Sequence, residues 1–106
     1  MQNDLLLFLG LMRRAGKLQT GENGTGQAAR GGKARLILLA EDASDNALKR
    51  AEQFARTAGV PLLRLPLTKE ALADALGVAG GAMFAVCDEG FAASLQKKLQ
   101  KENSKE

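Results

Sequence analysis

Short apolar runs alternate with segments of helical periodicity along this chain, and that alternation constrains the fold more than any other feature. Three runs, Leu36–Ala40, Leu62–Leu65 and Ala82–Cys87, have the length and continuous hydrophobicity of buried strands. A segment with apolar residues on one helical face follows each of them. Strands that alternate with helices are typical of proteins in which helices cover both faces of a sheet. The sequence therefore predicts an α/β protein with a small sheet.

Polar residues and glycines mark where the helices begin and end. The first helix carries apolar residues at helical spacing from Leu5 to Met12, and an extended piece at Lys17–Thr20 follows it. We expect caps where short polar side chains can satisfy free backbone N–H groups, and stops where glycine ends a helix. The expected caps are Asn3 or Asp4, Asp42 or Ser44, Thr68 and Asp88, and the expected stops are Ala15-Gly16, Gly59 and Gly77.

Residues 21–32, GENGTGQAARGG, contain five glycines and are an unfavourable helix on composition alone. Each glycine inside a helix costs about 1 kcal/mol relative to alanine, so the segment is predicted to be a short, weak helix or a loop. Its glycine spacing fits the phosphate-binding loop of nucleotide hydrolases. However, Gln27 and Ala28 replace the lysine and the hydroxyl residue that contact phosphate and magnesium in that motif, which argues against such an enzyme.

The chain lacks the residues of several catalytic and metal sites. It has 106 residues, room for one domain, with no histidine and a single cysteine, Cys87. Histidine-dependent triads, His-metal sites, Cys-x-x-Cys motifs and intramolecular disulfides are therefore excluded. Cys87 ends an apolar run, which favours a core position. We predict no catalytic residue, no metal and no cofactor, in a single domain over residues 1–100 with a polar tail over residues 101–106.

Two acidic pairs follow predicted strands and are consistent with either a metal site or helix caps. Glu41-Asp42 and Asp88-Glu89 stand where a strand ends and a helix begins, the edge at which α/β proteins bind ligands. Carboxylates at such places also cap helices and interact favourably with the helix dipole. Because neither a histidine nor an evident nucleophile accompanies them, we interpret them as caps.

The longest apolar run near the start, Leu5–Leu9, is far shorter than the about 20 residues of a membrane span. It also lacks the basic region that precedes the apolar part of a signal peptide. These features predict a reduced, cytoplasmic protein with no membrane partner.

Positive charge is concentrated in the first third of the chain. Residues 1–35 carry six basic and two acidic residues, whereas residues 36–106 carry nine basic and ten acidic ones. The six are Arg13, Arg14, Lys17, Arg30, Lys33 and Arg35. Most of them flank the glycine-rich segment, and cations near a helix start suit phosphate groups. The asymmetry indicates either an anionic partner such as nucleic acid or an ordinary solvated surface.

Three stretches resemble one known family: TGENGTGQAARGGKARLILLAEDAS from Thr20, VPLLRLPLTKEALADALG from Val60 and AVCDEGFAASL from Ala85. AEDAS after a buried strand and DEGFA after the last strand are the most specific pieces. Together they resemble the kink-turn-binding ribosomal-protein family (archaeal L-seven-Ae type), and within it the bacterial YlxQ-like branch. The resemblance implies a three-layer α/β/α sandwich with a small four-stranded mixed sheet, and RNA binding without catalysis.

The family's second helix begins with G-x-N-E-x-x-K, which enters the RNA groove beside sheared G·A pairs. Matched residue by residue, Gly21 and Asn23 keep this pattern, whereas Gly24 stands at the glutamate position and Gln27 at the lysine position. Gly24 has no group that could accept a hydrogen bond from guanine, and Gln27 offers only neutral hydrogen bonds. A second family loop, which packs against a flipped-out nucleotide, falls on residues 77–81, with Val78 at the apolar contact.

The sequence thus predicts a non-enzymatic, monomeric protein that binds a structured, kink-turn-like RNA and associates with the ribosome or another ribonucleoprotein. The resemblance implies that Asn23 and Gln27 read base edges, that Arg30 and Lys33 hold phosphates and that Val78 packs on an extruded base. The full predicted RNA-binding set is Gly21, Asn23, Gly24, Gln27, Arg30, Lys33 and Val78. Two alternatives stay open: a protein-interaction module with lost or altered RNA specificity, and a small-ligand or nucleotide-binding domain that uses residues 21–26.

Overall fold

Helices and strands follow one another in the predicted order. The computed structural model describes the backbone of residues 2–103 and the side chains of residues 4–100. Within them the elements are α1 (Gln2–Arg14), β1 (Leu18–Thr20), α2 (Gly21–Arg30), β2 (Leu36–Leu39), α3 (Asp45–Ala58), β3 (Leu62–Arg64), α4 (Lys69–Leu76), β4 (Met83–Val86) and α5 (Glu89–Asn103). The predicted α/β class is confirmed. The predicted polar tail begins inside α5, and residues 104–106 lie outside the described residues.

The four strands form one mixed sheet in the order β1-β4-β2-β3. β4 runs antiparallel to both of its neighbours, and its Val86 pairs with Leu18 on one side and Leu36 on the other. β2 and β3 are parallel. All residues of β2 and β4 are buried, since continuous apolar runs belong in strands that are covered on both faces. The predicted central strand and the four-stranded mixed sheet are therefore confirmed.

Helices cover both faces of the sheet and complete a three-layer sandwich. On one face α1, α4 and α5 enclose a core in which Leu9, Phe84 and Leu95 have no exposed surface. On the other face α2 and α3 pack against Ile37 and Ala85 through small side chains and the ring of Phe54. No helix in the described part of the chain has the length and hydrophobicity needed to cross a membrane.

Three predicted helix caps are present. Ser44, Thr68 and Asp88 each accept a hydrogen bond from the backbone N–H three positions ahead, at 3.1, 3.1 and 2.9 Å. Each bond satisfies a donor that the helix itself leaves free. Gly59 and Gly77 directly follow α3 and α4 as their C-caps, so both predicted stops are confirmed.

Two other predictions of helix caps are wrong: one concerns the start of α1 and the other concerns Asp42. α1 begins at Gln2, before Asn3 and Asp4, so neither residue is its N-cap. Asp42, the alternative cap for α3, instead accepts a hydrogen bond from the backbone N–H of Lys69 at 2.8 Å. Its carboxylate therefore caps α4 and ties the segment after β2 to the start of that helix.

Candidate nucleic-acid interface

Residues 21–30 form a complete helix, α2, in spite of their glycines. Thr25, Ala28 and Ala29 are buried against the sheet and α3, and such packing supplies most of the stability of a short helix. Gly26 lies where α2 touches α3, and a Cβ atom there would be 2.9 Å from Cζ of Phe54. This glycine therefore permits the close approach of the two helices, and the helical alternative of the prediction is confirmed.

The start of α2 is shaped by Gly21 and anchored by Glu22. Gly21 has a φ of +80°, a left-handed conformation that turns the chain from β1 directly into the helix and that favours glycine. Oε2 of Glu22 lies 3.1 Å from Nε of Arg50 on α3. Since both side chains are about half exposed, this ion pair contributes only about 0–1 kcal/mol. Asn23 follows with an exposed side chain.

The loop between α4 and β4 lies at the same end of the sheet as the start of α2. Thr20, the last residue of β1, pairs with Phe84 near the beginning of β4, and Gly21 follows directly. The loop that contains Val78 enters β4 at that end. Val78 is half-buried and packs against the α1–α4–α5 core, so part of its surface faces solvent. The sheet register thus brings Gly21, Asn23 and the Val78 loop to one end of the molecule.

A basic groove lies at the opposite end of the sheet. The backbone N–H groups of Cys87 and Arg35 donate to the carbonyl oxygens of Lys17 and Val86 at 2.8 and 2.7 Å, which brings three chain segments together there. The groove has a volume of about 620 Å³ and runs along the exposed side of α2. The residues that line it include Lys17, Gln19, Gly24, Gln27, Lys33 and Arg35.

Cys87 lines the basic groove and is half-buried, so the predicted core position is only partly correct. Its side chain packs against the α2–α3 core, and its Sγ lies 3.9 Å from the carbonyl oxygen of Ala85. Burial raises the pKa of the Cys87 thiol, although the nearby charges of Arg35, Lys33 and Lys17 act in the opposite direction. Cys87 and these three cations therefore line the same groove.

The seven predicted binding residues do not form one cluster. Gly21, Asn23 and Val78 lie at one end of the sheet, whereas Lys33 lies in the basic groove at the other, and Gly24 and Gln27 line the part of that groove along α2. Arg30 lies on the α3 side of α2, since its Nη1 is 3.1 Å from the Cβ position of Gly26 beside Phe54. The predicted phosphate ligands Arg30 and Lys33 are therefore separated.

Among the charged and amide side chains that line the groove, Lys17, Gln19 and Arg35 are outside the predicted binding set. The sequence indicates Lys17 only as a cation that flanks the glycine-rich segment, and it assigns neither Gln19 nor Arg35 to the site. Lys17 immediately precedes β1 and Arg35 immediately precedes β2, and both strands pair with β4. Knowledge of the strand order is needed to bring them together. Arg35 also has a structural role, because its Nη1 donates to the carbonyl oxygen of Gly32 at 3.0 Å.

Comparison with known proteins identifies the family. The model of the ribosomal protein L7Ae/L30e/S12e/Gadd45 family matches residues 5–96. The chain belongs to this family. The RNA-binding protein YlxQ of Bacillus subtilis (strain 168) is 34% identical over 88 residues, which are 83% of this chain and 87% of that protein. The RNA-binding protein YlxQ of Enterococcus faecium is 32% identical over 93 residues, 88% of each chain. The family and the bacterial branch implied by the sequence are thus confirmed.

Solved structures of two proteins share the fold of this L7Ae-family chain. A protein of unknown function from Bacillus halodurans superimposes with a TM-score of 0.76 at 28% identity, covering 87% of this chain and 92% of its own. The 15.5kD RNA binding protein of Giardia lamblia gives a TM-score of 0.68 over 94% of this chain and 85% of its own. Its 19% identity supports the fold alone. The family and the YlxQ relatives carry names of ribosomal and RNA-binding proteins, in agreement with the prediction that the chain is not an enzyme.

Proposed function

We propose that this L7Ae-family protein binds a folded RNA of the kink-turn class, one copy per RNA bend, as part of the ribosome or another cytoplasmic ribonucleoprotein. The observation that carries the proposal is the position of α2. This helix bears the family's motif positions, starts at the same end of the sheet as the Val78 loop and continues along the basic groove. The family membership and the names of the YlxQ relatives support RNA as the ligand.

The first two turns of α2 read the bases in this proposal. Asn23 and Gln27 are exposed and four positions apart, so they project from neighbouring turns of one helical side. Their amides can pair with base edges, on which both donors and acceptors are present. Gly21 has no side chain, which lets the RNA approach the backbone closely, whereas Gly24 leaves the motif's acceptor position without a side chain. The exposed part of Val78 offers an apolar surface for an extruded base.

Phosphate groups are held on both sides of α2. Lys17, Lys33 and Arg35 face the basic groove, whereas Arg30 lies on the α3 side. Phosphate contacts of this kind position a protein on RNA and supply affinity but carry no sequence information. Because Gln27 replaces the motif lysine, we expect these cations to provide most of the electrostatic attraction.

The proposal is tested by titrating the protein with a kink-turn RNA at two salt concentrations. The comparison RNA has its tandem G·A pairs replaced by Watson–Crick pairs. We expect the protein to bind the intact kink-turn RNA more tightly than the comparison RNA. We expect Asn23→Ala to weaken binding of the intact kink-turn RNA and to leave binding of the comparison RNA unchanged. Equal affinity for the two RNAs would overturn kink-turn recognition.

Lys17→Gln tests the groove in the same titration. It is expected to weaken binding of both RNAs and to lower the slope of log K against log salt by about one, as for one lost phosphate contact. Lys97→Gln is the matched control, because Lys97 is exposed on α5 in the other helix layer. If both lysine variants have the same effect, the groove is not a specific phosphate site.

A further inference from the structure

Two leucines on the outer face of α1 are open to solvent. Leu5, Leu9 and Met12 point to the core and are buried, but Leu7 is 70% exposed and Leu11 49% exposed. Among the side chains of residues 4–100 they are the two exposed large apolar ones. They lie four positions apart and therefore form one continuous patch on the helix. Adjacent exposed apolar side chains are a feature of interaction surfaces.

Gly10 opens a groove beside these leucines. Nothing lies within 4 Å of the position that its Cβ would occupy. The groove between α1 and α4 has a volume of about 470 Å³, and Leu7, Gly10, Arg14 and Ala75 are among the residues that line it. A second helix can approach the backbone of α1 here, because helices pack closely where side chains are small.

Charged residues bracket the apolar patch with opposite signs. Asp4 is exposed in the first turn of α1, and Arg14 is exposed in its last turn. Consider two α1 helices packed antiparallel and centred on residue 9. Residue 7 of each helix then faces residue 11 of the other, and residue 4 faces residue 14. Leucine thus meets leucine and aspartate meets arginine, in two symmetric copies of each contact.

We infer that α1 is a self-association surface on which a second copy of this chain pairs through a two-fold axis near residue 9. A two-fold interface requires one patch to be complementary to itself, and the positions of Leu7, Leu11, Asp4 and Arg14 meet that requirement. A contact between two single helices is smaller than the about 800 Å² per partner of a standard interface. We therefore expect a weak association, which forms only where the local concentration of the protein is high.

The pairing surface is separate from the part of the proposed RNA site on α2. α1 belongs to the layer with α4 and α5, whereas α2 lies in the layer with α3 on the other face of the sheet. Two paired copies can therefore both present α2 to RNA. This inference departs from the sequence prediction of a monomer, because the exposure of Leu7 and Leu11 is visible only in the folded chain.

Sedimentation velocity over a concentration series up to about 1 mM tests the inference. Interference optics are required, because the chain has neither Trp nor Tyr. The weight-average sedimentation coefficient of the wild type is expected to rise with concentration. Leu7→Glu is expected to abolish this rise, and so are Asp4→Arg and Arg14→Asp, which place like charges opposite each other.

The double variant with both Asp4→Arg and Arg14→Asp is the decisive one. It restores opposite charges across the two-fold axis, so it is expected to recover the concentration dependence of the wild type. Lys97→Glu on α5 makes the same charge change as Arg14→Asp and is expected to leave self-association intact, and circular dichroism verifies folding of each variant. A wild type that remains monomeric throughout overturns the inference. So does a folded double variant that fails to recover, which would assign the patch to a different partner.

Discussion

Gly24 and Gly26 are only two positions apart in α2, but a side chain at each is expected to change the stability of the protein in opposite directions. A Cβ on Gly26 would lie 2.9 Å from Cζ and 3.1 Å from Cε1 of the buried Phe54, whereas a Cβ on Gly24 would lie no closer than 3.6 Å to its nearest neighbour, Cβ of Gln19. We expect Gly26→Ala to lower the free energy of unfolding by about 1–2 kcal/mol through overpacking. Gly24→Ala is expected to raise it by up to about 1 kcal/mol through helix propensity.

Urea unfolding followed by circular dichroism measures both glycine variants under the same conditions. Each variant is the control for the other, because both replace a glycine of α2 with alanine and differ only in the surroundings of the new side chain. Two changes of the same sign would contradict the packing role of Gly26.

Cys87 reports on the charges of the basic groove. Since burial raises the pKa of its thiol, the reactive thiolate is scarcer at neutral pH than for an ordinary thiol, and alkylation of the folded protein is expected to be slow. Arg35 is the strongest of the opposing influences, so Arg35→Gln is expected to raise the pKa further. The measurement is the rate of reaction with iodoacetamide as a function of pH. An apparent pKa that falls in Arg35→Gln would contradict the placement of that charge, and Lys97→Gln should leave the profile unchanged.

At the level of elements, periodicity and capping predicted most of the fold. Continuous apolar runs located β2 and β4, and Thr68 and Gly77 defined both ends of α4, because these signals lie within a few residues of each other. α2 could not be assigned with the same certainty, since its stability comes from contacts with Phe54 and the sheet that lie far away in sequence. The capping of α4 by Asp42 could not be predicted for the same reason, because that helix starts 27 residues after Asp42.

The candidate site was predictable in part. The positions on α2 follow from the family motif, which is local in sequence. The groove needs Lys17, Lys33 and Arg35 together, and they meet only because β1 and β2 both flank β4. Strand order is a property of the whole sheet. The count of charges along the sequence therefore predicts a basic region but does not predict that these three residues line one groove.

Restoring the family motif on α2 is expected to strengthen binding of kink-turn RNA. Gly24→Glu supplies an acceptor for a guanine edge, and Gln27→Lys supplies a charge for phosphate. Both positions line the basic groove; the Gln27 side chain is exposed, and a Cβ on Gly24 would make only ordinary contacts with Gln19, at 3.6 Å or more. We expect the double variant to bind about tenfold more tightly, which corresponds to about 1.4 kcal/mol.

Filter binding or fluorescence anisotropy with labelled RNA provides the affinity of the motif variant. Gly24→Ala is the control, because it changes helix propensity without adding an acceptor. An affinity equal to that of the wild type would mean that this branch places its RNA differently from the family motif.

At the scale of the whole molecule, the sheet separates two surfaces. The α2–α3 layer carries the motif positions and most of the basic groove, and the α1–α4–α5 layer carries the exposed leucines. In the proposed complex, RNA contacts α2, the Val78 loop and the groove and therefore touches both ends of the sheet, so unfolding of the domain would disrupt the whole RNA site. A ligand that binds only the folded chain stabilises it in proportion to the logarithm of its concentration.

The melting temperature should therefore respond to RNA binding. At a free RNA concentration of about 100 times Kd, the free energy of unfolding rises by about 2.7 kcal/mol, and for a chain of this size the Tm rises by on the order of 10 °C. We expect the intact kink-turn RNA to produce this rise in differential scanning calorimetry, and the RNA with Watson–Crick pairs at the same concentration to produce less. Leu7→Glu should show the same gain in Tm as the wild type, because α1 carries none of the proposed RNA contacts. Equal gains from the two RNAs, both lost at high salt, would reduce the interaction to general attraction between phosphates and the basic groove.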